Sequence, residues 1–449
     1  MRRHVIIGRF GADDKTRVPK ARDEVASTLQ LVAGKRLDHG IGRALADLNA
    51  LHLTPSEIGI DMLVVAAHVH AADTRISRLT ESQDAWTREI RLVIPVSDPA
   101  RWNIAAPILV RALNFLTGDI WTIGFRKRTK GYAKLIPATH SSLVPPPFDG
   151  VSLFSGGLDS LIGAIDSLNA GETPLLVSHA GEGLVSKSQE QCFEGLKTAY
   201  ETSAFDRLRV WMSFDSGLVE DVASEDTTRG RSFLFFSLGV AAGTALDRDF
   251  VLKVPENGLI ALNVPLDPLR LGALSTRTTH PFYMARWNDL LLALGIRGKV
   301  ENSYWNKTKG EMVAQCADPA LLMRLAPYSL SCSSPAKGRW KKMPQGHCGY
   351  CLPCLIRRAS LAGVDSTAYG LADLKASILD TRQAEGQQVR SFQIAIERLA
   401  KRPDIAKALI HKQGPLYDDP SRHNDLADVY RRGLEEVGRL LAGVRTGPL

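Results

Sequence analysis

Six residues, Ser155-Gly156-Gly157-Leu158-Asp159-Ser160, have the types and order of an anion-binding turn. They follow the short apolar run 151–154 and lead into 161–165, which reads as the start of a helix. A strand, a glycine turn and a helix N-terminus aim successive backbone N–H groups at one point, and the helix dipole adds partial positive charge there. Two glycines let a phosphate approach with no Cβ in the way. Ser155 and Ser160 add hydroxyl donors. The pattern G-x-x-x-x-G-K-[ST] occurs nowhere in the chain, so this is not a Walker A loop. An ordinary strand–turn–helix connection is the plain alternative.

A second cluster of chemistry-bearing residues lies near residue 350. Cys348, Cys351 and Cys354 are spaced at i, i+3 and i+6, and Cys332 stands sixteen positions upstream of the first. Four thiolates satisfy a tetrahedral zinc ion, and C-x-x-C spacing lets one tight turn supply two ligands. A redox-active C-x-x-C pair explains two of these cysteines but not all four. His347 is an alternative fourth ligand, although it directly neighbours Cys348. Cys192 and Cys316 stand alone and read as buried small apolar residues.

The SGG-x-DS turn resembles the pyrophosphate loop of the N-type ATP pyrophosphatases, and the wider set of motifs resembles the QueC (7-cyano-7-deazaguanine synthase) family. The set comprises the turn, the C…C-x-x-C-x-x-C array and the following Leu355-Ile356-Arg357-Arg358. Arg231-Ser232-Phe233-Leu234-Phe235 looks like that family's R-N-x-x-F segment, and Thr308-Lys309-Gly310-Glu311-Met312 like its T-K-x-E-I segment. The resemblance covers residues 150–362. These motifs are specific as a set and weak singly. Plain QueC enzymes are much shorter and have no counterpart of residues 1–147 or 363–449. Pro255-Glu256-Asn257-Gly258 and Ser275-Thr276-Arg277-Thr278-Thr279-His280-Pro281 replace their usual substrate segment. The enlarged layout looks like the QueC-like proteins of bacterial anti-phage operons, those of the Qat system among them.

The resemblance implies a doubly wound parallel PP-loop fold that uses ATP, Mg²⁺ and structural Zn²⁺. It implies cleavage of ATP to AMP and pyrophosphate, activation of a 7-carboxy-7-deazaguanine-type carboxylate, and amide formation with ammonia or with an amine of a partner protein from the operon. Residues 155–160 would hold the phosphates. Asp159 would cap the following helix or hold Mg²⁺ through water. Arg231 and Lys309 would neutralise phosphate oxygens, or form surface salt bridges. Glu256 and Asn257 would meet a purine-like edge, or Asn257-Gly258 would make a turn. In the loop with Thr276 and Thr278, Arg277 would pair with a carboxylate, and His280 would be a general base or a structural hydrogen-bonding residue. A tRNA-thiolating enzyme with Cys192 as persulfide carrier and a non-catalytic nucleotide-binding subunit are the competing readings.

Composition bounds these readings. The chain has 449 residues, 44% of them hydrophobic and 23% charged, as in ordinary globular proteins. It shows no signal-peptide pattern and no apolar run of membrane-spanning length, so a cytoplasmic location with reduced cysteines is expected. The formal charge of +8 permits nucleic-acid contact without requiring it. Residues 337–342 form the one dense basic cluster.

Three segments must position the candidate residues. Residues 1–147 read as an α+β domain. Residues 61–68 are apolar and ambiguous between strand and helix; 88–95 alternate as a half-buried strand does; 106–116 read as a helix; and 121–125 read as a strand. His68, His70 and Asp73 read as surface or capping residues rather than metal ligands. The segment 141–150, with Pro145-Pro146-Pro147, reads as a stiff linker. Residues 148–362 alternate strands at 151–154, 175–179, 208–212 and 250–253 with helices at 159–169, 187–200 and 232–246, which implies a parallel sheet with binding at its carboxyl edge. Ser155, His179, Ser213 and Glu256 then fall at strand ends. Residues 363–449 read as helical, with periodic apolar positions at 371–379, 392–399 and 429–441. They form either a cap on the catalytic domain or a surface for a partner.

Overall fold

The computed structural model describes residues 2–34, 36–82, 84–136, 146–181, 183–225, 227, 229–267, 277–336 and 345–448. The first unit contains Arg3–Arg9 (β1), Glu24–Gln30 (β2), Ile41–Ala50 (α1), Glu57–Arg75 (α2), Glu89–Val96 (β3), Pro99–Thr117 (α3) and Ile120–Lys127 (β4). Its sheet runs β2-β1-β3-β4, parallel throughout. The α+β expectation is therefore corrected to α/β. Alternating burial along β3 and β4 marks strands covered on one face, a pattern that parallel and antiparallel sheets share when one face is open. The ambiguous run 61–68 is helical. Every residue from Gly59 to Thr74 is buried, and a helix enclosed on all sides has no polar face to set a period.

The central unit contains Gly150–Leu153 (β5), Leu158–Asn169 (α4), Pro174–His179 (β6), Gly183–Ala199 (α5), Asp206–Val210 (β7), Arg231–Thr244 (α6), Phe250–Lys253 (β8), Gly258–Leu262 (α7), Pro281–Ala293 (α8), Gly298–Glu301 (β9) and Lys309–Ala314 (α9). Its sheet order is β9-β8-β5-β6-β7, again all parallel. From β5 the chain winds outward to β7, then crosses back to β8 and β9. The loops after β5 and β8 therefore leave the sheet in opposite directions, and a crevice opens between them.

Helix α2 packs on α6, and α3 packs on α8. One continuous core holds Ile6, Leu63 and Leu113 of the first unit with Val151, Phe236, Leu252 and Trp287 of the second. The boundary at residue 147 thus separates two sheets but not two cores. Residues 137–145 of the expected linker lie outside the described residues. On the other face of the central sheet, Leu176 packs with Leu158, Leu161 and Ile162 of α4.

The third segment adds Leu352–Ser360 (α10), Ala384–Lys401 (α11) and His423–Leu441 (α12). Their apolar faces enclose a separate core around Val389, Phe392 and Leu434, which also takes in Leu259 and Leu262 of α7. The helix expected over 371–379 does not form. The Asp373 carboxylate accepts the Lys375 N–H at 2.8 Å in a local turn, and Leu379 pairs with Thr446 as a short parallel strand. Among the described residues, no helix is long and apolar enough to cross a membrane.

Candidate active site

The glycine turn leaves β5 at the crevice. Gly156 has φ of +78°, and a Cβ there would lie 3.0 Å from the Gln189 backbone nitrogen and from Ser188 Oγ. Only glycine fits this position without displacing α5. The Gly156 carbonyl accepts from Ser188 Oγ at 2.7 Å and from the Leu330 N–H at 2.8 Å. Gly157 N–H donates to Ser155 Oγ at 3.2 Å, and Ser160 Oγ donates to the Gly157 carbonyl at 3.0 Å. Leu158 is fully buried in the core beneath the turn, so it can serve a ligand only through its backbone.

Asp159 is the hub of a buried polar cluster. Lys309 Nζ lies 2.7 Å from Asp159 Oδ1, and both side chains are at most 7% exposed. Asn257 Nδ2 donates to Asp159 Oδ2 at 2.7 Å, and the Asn257 backbone N–H donates to the same oxygen at 3.2 Å. Burial pushes the Asp159 carboxyl up, but Lys309 and the hydrogen bonds from Glu256 and Asn257 outweigh it and hold the group below the usual carboxylate range. Glu256 moves the opposite way. Burial and the charge of Asp159 raise it well above the usual range, so it shares a proton with Asp159. Part of the Glu256 side chain still faces the cavity.

Two expectations are corrected here. Asp159 does not cap α4, because its oxygens are taken by Lys309 and Asn257. Asn257 is fully buried, with its Oδ1 capping α7 through the Ile260 N–H and its amide on Asp159, so it has no edge free for a purine.

A cavity of about 360 Å³ opens at this point, lined by Ser155, Ser160, Arg229, Arg231, Glu256 and Thr278 among others. Its volume suits a small ligand. A larger hollow of about 730 Å³ lies at the amino ends of β5, β6, β8 and β9, away from the turn. Arg231 opens α6, with its guanidinium 5.6 Å from the Phe235 ring centroid. The Gly230 N–H just before it donates to Asp73 Oδ2 of α2 at 2.7 Å. Lys309 opens α9, whose capping box pairs Thr308 with Glu311. From α12, Glu436 accepts from Thr308 Oγ1 and, at 3.2 Å, from the Gly310 N–H. Each outer segment therefore braces one helix start that presents a cation.

The loop before α8 departs from expectation. Arg277 donates to the Phe115 carbonyl at 2.5 Å and stacks over the Phe115 ring, which ties it to α3 instead of the cavity. His280 is fully buried and caps α8 by accepting the Phe282 N–H at 3.2 Å. Burial lowers its pKa to about 3, so the general-base assignment gives way to the structural one. Thr276 and Ser275 lie outside the described residues, as does the basic cluster 337–342. His179 is buried against Trp211 and Phe235, and burial holds its pKa at about 4. His68, His70 and Asp73 are buried, contrary to the surface expectation, and the one cysteine-rich metal cluster among the described residues excludes them.

That cluster is Cys332, Cys348, Cys351 and Cys354, whose Sγ atoms all lie within 4.8 Å of one another. Cys332–Cys351 is 3.9 Å and Cys348–Cys354 is 4.0 Å. Sulfurs bound at about 2.3 Å to one tetrahedral zinc are about 3.8 Å apart, so the donor set can hold a metal ion such as zinc. The Cys351 N–H donates to Cys348 Sγ at 3.3 Å, as a thiolate ligand favours. His347 is not a fourth ligand, since its Nε2 accepts the Ser331 N–H at 3.1 Å and so orients the Cys332 arm. Cys192 and Cys316 are buried in the core, as expected.

A scan of the chain against protein-family models matched none, and a search of the curated proteins found no significant match. Sequence reasoning missed three residues of the site. Arg229 had a signal in the doublet Arg229-Gly230-Arg231. Asp73 and Glu436 had none, because each acts across more than 100 positions of chain.

Proposed function

We propose that this chain is a QueC-like ATP pyrophosphatase with a doubly wound PP-loop fold, which activates a carboxylate as its adenylate and passes it to an amine. The observation that carries this reading is that Ser155 and Ser160 of the turn, Arg231 and Glu256 line one cavity at the sheet's switch point, with the buried Asp159–Lys309 pair next to the turn. The carboxylate oxygen attacks the α-phosphorus of ATP, the α–β bridging bond breaks, and pyrophosphate leaves. The amine then displaces AMP from the mixed anhydride and loses a proton.

The roles follow from the positions. The turn N–H groups and the α4 dipole receive the pyrophosphate and Arg231 neutralises its developing charge, while Lys309 stays paired with the buried Asp159. Mg²⁺ would arrive on the phosphates with waters, and Asp159 and Glu256 are the carboxylates beside its path. Glu256, on the cavity wall, carries a proton at rest, so it suits a hydrogen-bond donor to the substrate carboxylate or the departing phosphate, and the amine's proton leaves to water. The substrate class, a 7-deazaguanine carboxylic acid, and the amine of an operon partner protein rest on the motif resemblance.

Thiolation is disfavoured. Cys192, the candidate persulfide carrier, is fully buried on α5, and burial pushes its thiol up to about 12. The deciding experiment incubates the protein with ATP, Mg²⁺ and 7-carboxy-7-deazaguanine, with either ammonium or the operon proteins added. AMP and pyrophosphate with a deazaguanine acyl adduct on a partner support the reading. ADP as product overturns it, and nitrile formation from ammonium with no adduct returns the chain to plain QueC chemistry.

A further inference from the structure

Arg229 belongs to none of the motifs, yet it forms part of the cavity wall. Its guanidinium carbon lies 3.6 Å from the Trp86 ring centroid. Its Nη1 donates to the carbonyl of Thr117, the last residue of α3, at 3.2 Å. A cation on an aromatic face and at a helix C-terminus is held firmly but keeps its charge unspent. The nearest acids are already committed. Asp73 Oδ1 lies 3.3 Å from Arg78 and 3.2 Å from Arg88, and Asp119 Oδ2 lies 2.7 Å from each. Among the described residues, no carboxylate forms an ion pair with Arg229. Burial, reinforced by the neighbouring Arg78, lowers its pKa to about 10, as expected of a cation short of counter-charge.

We propose that Arg229 is an anion-binding residue of the cavity, mounted there by the first structural unit, and that its ligand is the carboxylate of the molecule to be activated. This deepens the reading of the cavity as an adenylation site and rests on it. Four cations were candidates for the carboxylate. Arg277 is spent on Phe115, and Lys309 on Asp159. Arg231, at the entrance of α6, is assigned to the phosphates. Arg229 remains, and a guanidinium can take a carboxylate through two parallel N–H donors. The inference also gives residues 1–147 a chemical task, since Trp86 and Thr117 both belong to them.

The test compares wild type, Arg229→Ala, Arg229→Lys and Trp86→Phe. Arg229→Ala should raise KM for 7-carboxy-7-deazaguanine by about tenfold or more, the worth of one charge-assisted pair, while KM for ATP stays put. Lysine, a point charge without the fork, should recover only part of the loss. Without turnover, 7-carboxy-7-deazaguanine alone should shift tryptophan emission in wild type but not in Trp86→Phe or Arg229→Ala. A rise in KM for ATP alone would assign Arg229 to the phosphates and overturn the proposal. So would unchanged constants with an unchanged emission response. If wild type forms no AMP, the adenylation reading fails, and the emission arm still reports whether Arg229 holds a carboxylate.

Discussion

The backbone N–H of Leu330 donates to the carbonyl of Gly156 at 2.8 Å. Leu330 lies two residues before Cys332, and both border the cavity. The cysteine cluster therefore holds one side of the glycine turn. Removing the metal with a chelator, or replacing Cys351 with serine, should weaken ATP binding as well as lower the melting temperature. Calorimetry of ATP binding before and after chelation checks this. Unchanged affinity in metal-free, folded protein would separate the two sites.

Gly156→Ala should be costly out of proportion to its size. The left-handed backbone alone costs roughly 1–2 kcal/mol for a residue with a Cβ. The added methyl would also press on Gln189 and Ser188 at 3.0 Å. AMP formation should fall much further than the unfolding midpoint. Full activity with normal stability would show that the turn does not hold phosphate.

The Asp159–Lys309 pair predicts strong non-additivity. Lys309→Met or Asp159→Asn alone strands a buried charge and should cost about 3–5 kcal/mol. The double variant should cost clearly less than the sum. Urea unfolding of the four species forms the cycle, and simple additivity would contradict direct pairing.

His280→Asn should keep most of the turnover, because His280 caps α8 and does not reach the cavity. An asparagine at an N-cap preserves that bond. A loss of about a hundredfold in kcat, the usual scale for a lost general base, would restore the catalytic assignment.

Acid should destabilise the fold well above the range in which carboxylates titrate. Burial lowers His68 and His179 to about 4, and His70 and His280 to about 3, against 6.5 when unfolded. Below pH 6.5 the unfolded chain binds protons that the folded chain refuses, so stability falls with pH down to those lowered values. Urea midpoints at pH 7 and pH 5, with metal content checked at each, should differ markedly. A flat profile would mean these rings are solvated.

Four of the five central strands were legible as short apolar runs alternating with helical segments, whereas β9, with two charged residues in four, was missed. The turn, Lys309, Arg231 and the cysteines were legible because their chemistry is local in the chain. What escaped was set by distant packing. Helix α2 hid because burial on every side removed its period. Arg277 and His280 misled because a loop rich in polar types looks the same whether it faces a ligand or α3. Asn257 misled because the Asp159 that occupies its amide lies 98 residues away.

The shared core also constrains how the chain can be made. The first sheet is complete at Lys127, but the apolar flanks of α2 and α3 meet their partners only when α6 and α8 exist. At ribosomal rates of about 5–20 residues per second, that leaves on the order of ten seconds or more in which a helix buried from Gly59 to Thr74 in the finished fold waits partly uncovered. The nascent chain thus passes through a sticky half-finished state on every round of synthesis, and a fragment ending near residue 147 would remain in it.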